Sequence, residues 1–338
     1  MGNILSQYGL DENDCKILPL GNGLINTTWL IETAKEQYVL QKINDTIFRN
    51  PEDIAFNIKL ISDHLKQYHP EYYFITPVKT VEGNDLVKNA EGYFRMFLFV
   101  RDSHTIDTVE RPEQAYEAAK QFGRFTNSLS GLDASQLKIT LPHFHDLTLR
   151  YQQFEHALQT GNAERIERSK ELILFIEQQK SIVDEFEFCK QNLITRCTHH
   201  DTKISNVLFD QAGNGLCVID LDTVMPGYFI SDVGDMMRTY LSPVSEEEKD
   251  LSKIVVRKEF YEAIVDGYLS EMGQELDDLE KKYFHYAGKF MIYMQAIRFL
   301  TDHVNNDSYY GAKYEGHNFN RAANQITLLK RLQEFNPG

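Results

Sequence analysis

The chain has 338 residues, of which 42% are hydrophobic and 25% are charged, and its formal net charge is −15. This length allows about two domains with a substantial core. The negative charge argues against a nucleic-acid partner or an anionic membrane surface, because both require a broad basic surface. No apolar run approaches the length of about 20 residues that a membrane span needs. The four cysteines are dispersed without C-x-x-C spacing, which fits a folded protein of the reducing cytoplasm.

The first part of the chain, residues 1–100, is predicted to be a small α+β unit. The runs "CKILPL", "TTWLIETA" and "YVLQKI" alternate with turn signals, which is typical of antiparallel strands. The segment "NPEDIAFNIKLISDHLKQYHP" follows them, and its apolar residues recur at helical spacing behind a Pro-Glu-Asp start. The runs "YFITPVKT" and "YFRMFLFV" predict two further strands.

The second part, residues 101–338, is predicted to be mainly helical. Helical periodicity begins in "PEQAYEAAKQFGRFTNSLSGL" and continues through "ERIERSKELILFIEQQKSIVDEF". The exception is residues 192–240, where the short apolar runs "NLITRCTHHD", "NVLFD" and "GLCVIDLD" predict strands separated by polar loops. We therefore expect a β-rich unit followed by a helical unit that carries a loop-rich insertion.

The insertion contains the spacing of a kinase catalytic loop. His199, Asp201 and Asn206 satisfy H-x-D-x-x-x-x-N, and Asp220 lies at the end of the apolar run "GLCVID". Phosphoryl transfer needs a base for the attacking hydroxyl and hard oxygen ligands for Mg²⁺. The pattern predicts Asp201 as the catalytic base, with Asn206 and Asp220 as the metal ligands.

A second motif, near the amino terminus, predicts an ATP-binding loop. In "LPLGNGLINTTWLI", Gly21 and Gly23 would let backbone N–H groups approach phosphates, and Asn26 stands where the usual pattern has a third glycine. Lys42 follows Val39 by three residues, as in the V-A-I-K pattern of the next strand. Taken alone, the two glycines are equally typical of a β-hairpin.

Together, these motifs give the chain a definite resemblance. The segment "HHDTKISNVLFD" followed by "VIDLDTVMPGYFISDVGD" resembles the aminoglycoside phosphotransferase and choline kinase superfamily. Within it, "IDLDTVMPG", "VGDMMR" and "IRFLTDHVNNDSYY" are most similar to bacterial N-acetylhexosamine 1-kinases. The resemblance extends from about residue 17 to about residue 330. It implies a bilobal protein-kinase-like fold, with a small β-rich N-lobe, a hinge near Phe97–Arg101, a mainly helical C-lobe, and ATP between the lobes.

The same resemblance implies a reaction and a set of residues. The relatives phosphorylate the anomeric hydroxyl of N-acetylglucosamine and N-acetylgalactosamine with ATP and Mg²⁺, which makes a small-molecule sugar the expected partner. Their catalytic aspartate and metal ligands correspond to Asp201, Asn206 and Asp220. Arg298 and Tyr309 are implied to contact the sugar. From the residues alone, a helix-surface ion pair between Arg298 and Asp302 is an equally good interpretation.

In two places the sequence departs from the family pattern. Related enzymes often have histidine where this chain has Leu24, so one sugar contact is left unassigned and the specificity could differ. The helix after Lys42 offers only Glu52 and Asp53 in its first turn and Asn57 near its middle. The sequence therefore does not assign the acidic partner of Lys42.

Five polar residues near the catalytic-loop motif are interpreted as supporting it. Asp222 could approach a second metal or orient the loop, and both readings stay open. Asp232 and Asp235 are expected to brace the catalytic loop, and His199 is expected to hydrogen-bond its backbone. Lys203 could steady the transferred phosphoryl group or be a solvated loop charge.

Two other functions remain open from the sequence. One is a small-molecule kinase of the same fold that acts on choline, ethanolamine, another sugar or an aminoglycoside. The acidic overall charge is compatible with such a cationic acceptor. The other is a catalytically silent nucleotide-binding sensor, which would have no need for a correctly spaced base. The oligomeric state is also left open.

Overall fold

The computed structural model describes residues 1–21 and 25–335. Its amino-terminal part is built on a five-stranded antiparallel sheet with the strand order β1-β2-β3-β5-β4. The strands are β1 Lys16–Pro19, β2 Thr27–Glu32, β3 Gln37–Ile43, β4 Val87–Asn89 and β5 Gly92–Leu98. Helix α1 (Gly2–Leu5) precedes the sheet, and α2 (Pro51–Tyr68) connects β3 to β4.

The two faces of this sheet have different surroundings. Alternate residues of a strand point to opposite faces, and directly paired residues of neighbouring strands share a face. Lys42 pairs with Phe94, on the face where Phe94 belongs to an apolar cluster that includes Ile4 of α1. Gln41 pairs with Arg95 on the opposite face. The sheet therefore separates Lys42 from the pair Gln41 and Arg95.

One predicted strand is wrong. The run "YFITPVKT", residues 73–80, contributes only an isolated bridge between Pro77 and Phe97. Proline has no backbone N–H to donate to a ladder, so an apolar run that contains it is a poor strand. The edge strand is β4 instead, seven residues beyond the predicted run.

The remainder of the described chain is mainly helical, as predicted. The helices are α3 Pro112–Ser128, α4 Leu147–Thr160, α5 Ala163–Arg168, α6 Lys170–Gln178, α7 Ser181–Asn192, α8 Phe229–Tyr240, α9 Lys258–Met272, α10 Asp278–Lys282, α11 Phe284–Val304 and α12 His317–Glu334. Helix α11 is buried along almost its whole length and packs against α4, α8 and α12. None of these or the other described helices combines the length and apolar character required to cross a bilayer.

Helices α3 and α9 approach each other at glycines. A Cβ on Gly123 of α3 would lie 2.9 Å from the carbonyl oxygen of Tyr268, and a Cβ on Gly267 of α9 would meet the backbone of Tyr116. The missing side chains allow the two helices to pack at close range. This helix pair supports the loop-rich insertion, because α3 also packs against the short strand Gly215–Val218 within it.

The predicted insertion contains four short strands. They are β6 Arg196–Thr198, β7 Val207–Phe209, β8 Gly215–Val218 and β9 Met225–Gly227. Strands β6 and β9 pair with each other, and β7 and β8 form an antiparallel hairpin. The predicted boundary between residues 100 and 101 falls between β5 and α3, and it stays a prediction.

Candidate active site

The β7–β8 hairpin brings the predicted metal ligands to one place. Val207 pairs with Val218, so the residues that flank the open end of the hairpin lie side by side. The ladder continues one step further, where the backbone N–H of Ile219 donates to the carbonyl of Asn206 at 2.9 Å. Asp220 follows in the left-handed backbone region, with φ 59°. Residues that are distant in sequence thereby share the mouth of one hairpin.

Asp201 lies at this mouth and contacts its neighbours directly. The side-chain amide of Asn206 donates to the carbonyl of Asp201 at 2.9 Å and to its Oδ2 at 3.1 Å. The Lys203 Nζ lies 3.1 Å from the same Oδ2. Burial lowers the pKa of Lys203, but the Asp201 carboxylate outweighs this effect and the net direction is upward. Lys203 is therefore held as a cation beside the predicted base.

His199 and Asp232 support the loop that contains Asp201 through hydrogen bonds to its backbone. The buried His199 ring contacts the carbonyl of Ile219 at 3.0 Å and accepts the backbone N–H of Asp201 at 3.3 Å. Burial lowers its pKa, so the ring stays neutral at neutral pH. Asp232 accepts the backbone N–H groups of His199 and His200 at 3.0 and 2.7 Å. The interpretation of both side chains as scaffold is supported by these contacts.

Asp235 holds the backbone of Thr202 and is the first member of a network of charged side chains. Its Oδ2 accepts the backbone N–H of Thr202 at 2.9 Å, and its Oδ1 accepts from Arg238 at 2.9 and 3.1 Å. Arg238 also pairs with Glu246 at 2.9 Å, and Glu246 contacts Arg321. The loop that contains Asp201 and Thr202 is thus connected through α8 to α12 by alternating charges.

The Asp220 carboxylate is in an unfavourable electrostatic environment. Its surface is accessible, yet desolvation by the surrounding protein, followed by the charges of Asp222 and Asp201, raises its pKa to about 7. A carboxylate crowded by other carboxylates favours a bound cation, because a cation relieves both the desolvation and the repulsion.

The donor groups at the hairpin mouth fit Mg²⁺. The Asn206 amide nitrogen is directed at Asp201, which leaves the amide oxygen to face a ligand. Asp220 offers carboxylate oxygens. Mg²⁺ prefers oxygen ligands and usually keeps several waters, so it is commonly held by one or two protein groups together with substrate phosphates. Within the described residues, no group of three His, Cys, Asp or Glu side chains forms an all-protein metal site.

Asp222 does not face the hairpin mouth. Its Oδ1 lies 2.5 Å from Nη1 of Arg95, and its Oδ2 accepts a hydrogen bond of 2.7 Å from Asn26. Both carboxylate oxygens are engaged by the amino-terminal part of the chain. Of the two readings left open for Asp222, this geometry supports an orienting role.

A match to a family model agrees with this geometry. Residues 16–279 match the model described as "Phosphotransferase enzyme family". The chain belongs to this family. The match begins at β1 and ends in α10, so it includes both the sheet and the hairpin that carries Asn206 and Asp220.

Solved structures similar to this phosphotransferase confirm the predicted fold. An aminoglycoside phosphotransferase from Alicyclobacillus acidocaldarius has a TM-score of 0.67 at 12% identity, covering 99% of this chain and 96% of that chain. A microcompartment-associated aminopropanol kinase has a TM-score of 0.63 at 17% identity, covering 98% and 96%. A spectinomycin phosphotransferase in complex with ADP and spectinomycin has a TM-score of 0.60 at 12% identity, covering 99% and 98%. The phosphotransferase therefore has the predicted α+β, bilobal, protein-kinase-like fold.

The predicted nucleotide-binding residues are only partly brought together. Gly21 adopts φ 69°, a left-handed conformation that suits glycine, whereas Gly23 lies outside the described residues, as does Leu24. Asn26 reaches Asp222, as described above. Lys42 does not join the site: its Nζ lies 5.9 Å from the centre of the Phe94 ring, on the far face of the sheet.

The predicted sugar contacts lie at the carboxyl end of α11. The Arg298 guanidinium lies 5.4 Å from the ring centre of Tyr310 and 6.0 Å from that of Phe144. Tyr309 is 72% exposed. The alternative ion pair between Arg298 and Asp302 does not form, because Asp302 instead accepts the backbone N–H groups of Tyr309 and Tyr310 at 2.7 and 2.9 Å.

Sequence reasoning missed two arginines. Arg95 is a buried cation in the otherwise apolar strand β5, and a lone arginine in such a strand is itself a signal that a partner must exist. Arg150 of α4 lies near Arg298: its pKa is lowered first by burial and then by the Arg298 charge. No pattern in the sequence links Arg150 to α11, since the two helices are far apart along the chain.

Proposed function

We propose that this phosphotransferase is an ATP- and Mg²⁺-dependent sugar 1-kinase that phosphorylates the anomeric hydroxyl of N-acetylglucosamine and N-acetylgalactosamine. The observation that carries the proposal is the hairpin mouth, where Asp201 is hydrogen-bonded to Asn206 and is close enough to Asp220 to raise its pKa. A base and two oxygen donors in one cleft suit phosphoryl transfer to a hydroxyl. The cytoplasmic location and the division at residue 100 remain predictions.

In this proposal Asp201 orients the acceptor hydroxyl and takes its proton. The Asn206 amide fixes the Asp201 carboxylate, and the His199 ring fixes its backbone, so the base is held in one orientation. An anomeric hydroxyl is more acidic than an ordinary alcohol, which suits a carboxylate base. Lys203 lies close enough to favour negative charge on the transferred group.

Asn206 and Asp220 would hold Mg²⁺, which when bound neutralises charge on the phosphates. Gly21, Gly23 and Asn26 are proposed to line the phosphate side of the ATP site. The contact between Asn26 and Asp222 supports the placement of Asn26, because it brings this residue to the turn that follows Asp220.

The charges near Arg298 favour a sugar over an amine as the acceptor. Arg298 and Arg150 are close enough for one charge to lower the pKa of the other. An ammonium group placed beside two arginines is repelled, whereas hydroxyl and acetamido oxygens accept hydrogen bonds from guanidinium groups. Tyr309, exposed next to this pair, is proposed to contact the sugar together with Arg298.

A kinase with an amino-alcohol or aminoglycoside acceptor is the second candidate. The similar structures include an aminopropanol kinase and aminoglycoside phosphotransferases, and the net charge of −15 attracts cations. The silent sensor is less consistent with the site, because nucleotide binding alone does not require Asp201 to be held beside Asn206.

The deciding experiment measures ATP-dependent phosphorylation of N-acetylglucosamine, N-acetylgalactosamine, glucose, choline and an aminoglycoside, with phosphorus NMR of each product. We expect an anomeric phosphate from the N-acetylhexosamines. Predominant turnover of choline or the aminoglycoside would reject the sugar proposal in favour of the second candidate. Binding of ATP with no phosphorylated acceptor would favour the sensor.

Asp201→Asn tests the assignment of the base. We expect turnover to fall at least about a hundredfold, because general-base catalysis contributes that much or more, while nucleotide affinity changes little. Asp63→Asn, which alters an exposed carboxylate on α2, serves as the control. Retention of parental turnover by Asp201→Asn would contradict the assignment.

A further inference from the structure

The two lobes are joined by a buried ion pair. Arg95 of β5 and Asp222, in the turn after β8, have side chains that are only 3% and 2% exposed. Removing two charges from water is costly, and their attraction compensates only when the geometry is good and the remaining polar atoms are also satisfied. A pair in this position therefore calls for a functional explanation in addition to a structural one.

The pair is the centre of a larger contact, which we call the interlobe clamp and define as Asn26, Gln41, Arg95 and Asp222. The Nε of Arg95 donates to the Gln41 side chain at 3.0 Å, and the guanidinium lies 5.2 Å from the ring centre of Phe97. The second oxygen of Asp222 accepts from Asn26 at 2.7 Å. Both sides of the ion pair are thus fixed by groups of the amino-terminal lobe.

The clamp reaches both halves of the proposed ATP site. Asp222 lies two residues after Asp220, within the same turn. The Oδ1 of Asn26 accepts the backbone N–H of Asn44 at 3.0 Å, which ties Asn26 to the end of β3. A change in the ion pair is therefore expected to move Asn26 on one side and the turn that contains Asp220 on the other.

Protein kinases commonly use a strand lysine and a helix glutamate beside the nucleotide phosphates. In this chain the candidate lysine and the acidic residues of α2 do not join the clamp. Lys42 is on the opposite face of the sheet. The acidic residue at the start of α2, Glu52, pairs with the exposed Lys88 at 3.2 Å. Asn57 of α2 is buried and donates to the carbonyls of Lys138 and Val224.

We propose that Arg95 is a positioning residue that acts through Asp222 to hold Asn26 and Asp220 at the separation that the triphosphate requires. The inference rests on the phosphotransferase activity and is independent of which acceptor is used. Loss of the Arg95 charge would leave the Asp222 carboxylate buried and unpaired beside Asp220. An additional uncompensated negative charge there repels the nucleotide phosphates.

A double-mutant cycle with Arg95→Gln and Asp222→Asn tests this inference. We expect Arg95→Gln to weaken ATP affinity, measured by calorimetry with Mg²⁺ and without acceptor, by about tenfold or more. The double variant should recover several-fold of that loss, because it no longer contains an unpaired charge. The KM for the acceptor should stay within about twofold of the parent value. Lys16→Gln, which removes an exposed cation from β1 of the same sheet, is the control.

The readouts separate positioning from a merely structural role. General destabilisation lowers the unfolding midpoint and the active fraction, but it does not raise the ATP dissociation constant of the folded molecules selectively. Arg95→Lys keeps the charge and serves if Arg95→Gln fails to fold; we expect its ATP affinity to fall less than tenfold. The inference is overturned if folded Arg95→Gln binds ATP like the parent, or if the double variant is no better than Arg95→Gln. Because ATP binding is measured without acceptor, the affinity comparison remains valid even if the proposed sugar acceptor is wrong.

Discussion

His200 provides a direct test of the electrostatics beneath the catalytic loop. Its Nδ1 donates to the carbonyls of Thr198 and Thr223 at 3.0 and 3.2 Å, and burial lowers its pKa from 6.5 to about 4. The unfolded chain therefore binds a proton between pH 6.5 and about 4 that the folded chain does not. The unfolding free energy is fully retained above pH 6.5 and decreases as the pH falls toward 4. The pKa difference corresponds to at most about 3 kcal/mol.

The test compares urea unfolding of the parent and of His200→Asn at about pH 7.5 and about pH 4.5. Asparagine tolerates the left-handed backbone of this position, φ 67°, but does not titrate. We expect the variant to lose about 2–3 kcal/mol less than the parent on acidification. His143→Asn is a matched control, since His143 is exposed and also has a positive φ of 56°. Equal acid dependence in the parent and in His200→Asn would refute the reasoning.

Two further predictions concern the sugar loop and the helical core. Asp302→Asn weakens the charge-assisted hydrogen bonds that order the backbone of Tyr309 and Tyr310. We therefore expect the KM for the acceptor to rise about tenfold while the KM for ATP is unchanged. A parallel rise in both KM values would argue against a local effect. Gly234→Ala would place a Cβ 2.4 Å from the carbonyl oxygen of Ala287, so overpacking should destabilise the protein by about 1–3 kcal/mol in urea unfolding. Helix propensity alone predicts the opposite sign, and a stabilised variant would show that the helices separate at little cost.

The contact between Asp201 and Asn206 was predictable because it depends on short-range spacing. Asp201 and Asn206 are five residues apart, and the apolar runs that flank them can form only short strands between polar loops. Asp220 was predictable because it ends an apolar run, and a strand delivers its terminal residue to a defined place. The hydrogen bond between Asp201 and Asn206 follows from this local arrangement.

The side chains of the proposed nucleotide site were less predictable, because their positions depend on which face of a strand they occupy. The V-x-x-K spacing of Val39 and Lys42 matches the expected motif, but a shift of one residue moves a side chain to the other side of a sheet. The pairing of Gln41 with Arg95, together with the ion pair from Arg95 to Asp222, shows which face meets the helical lobe. The partner of Arg95 is distant in sequence, so no local pattern could identify Asp222.

The β7–β8 hairpin places Asn206 and Asp220, whose separation must be constant, at the end opposite the tip, whose length can vary. Asn206 and Asp220 are at its open end, whereas the tip, from Asp210 to Asn214, turns at the opposite end through Gly213 with φ 86°. Lengthening the tip leaves the distance across the open end unchanged. We therefore expect homologous chains to differ in the number of residues between Asn206 and Asp220. A search pattern should fix the interval from Asp201 to Asn206 and allow the interval from Asn206 to Asp220 to vary.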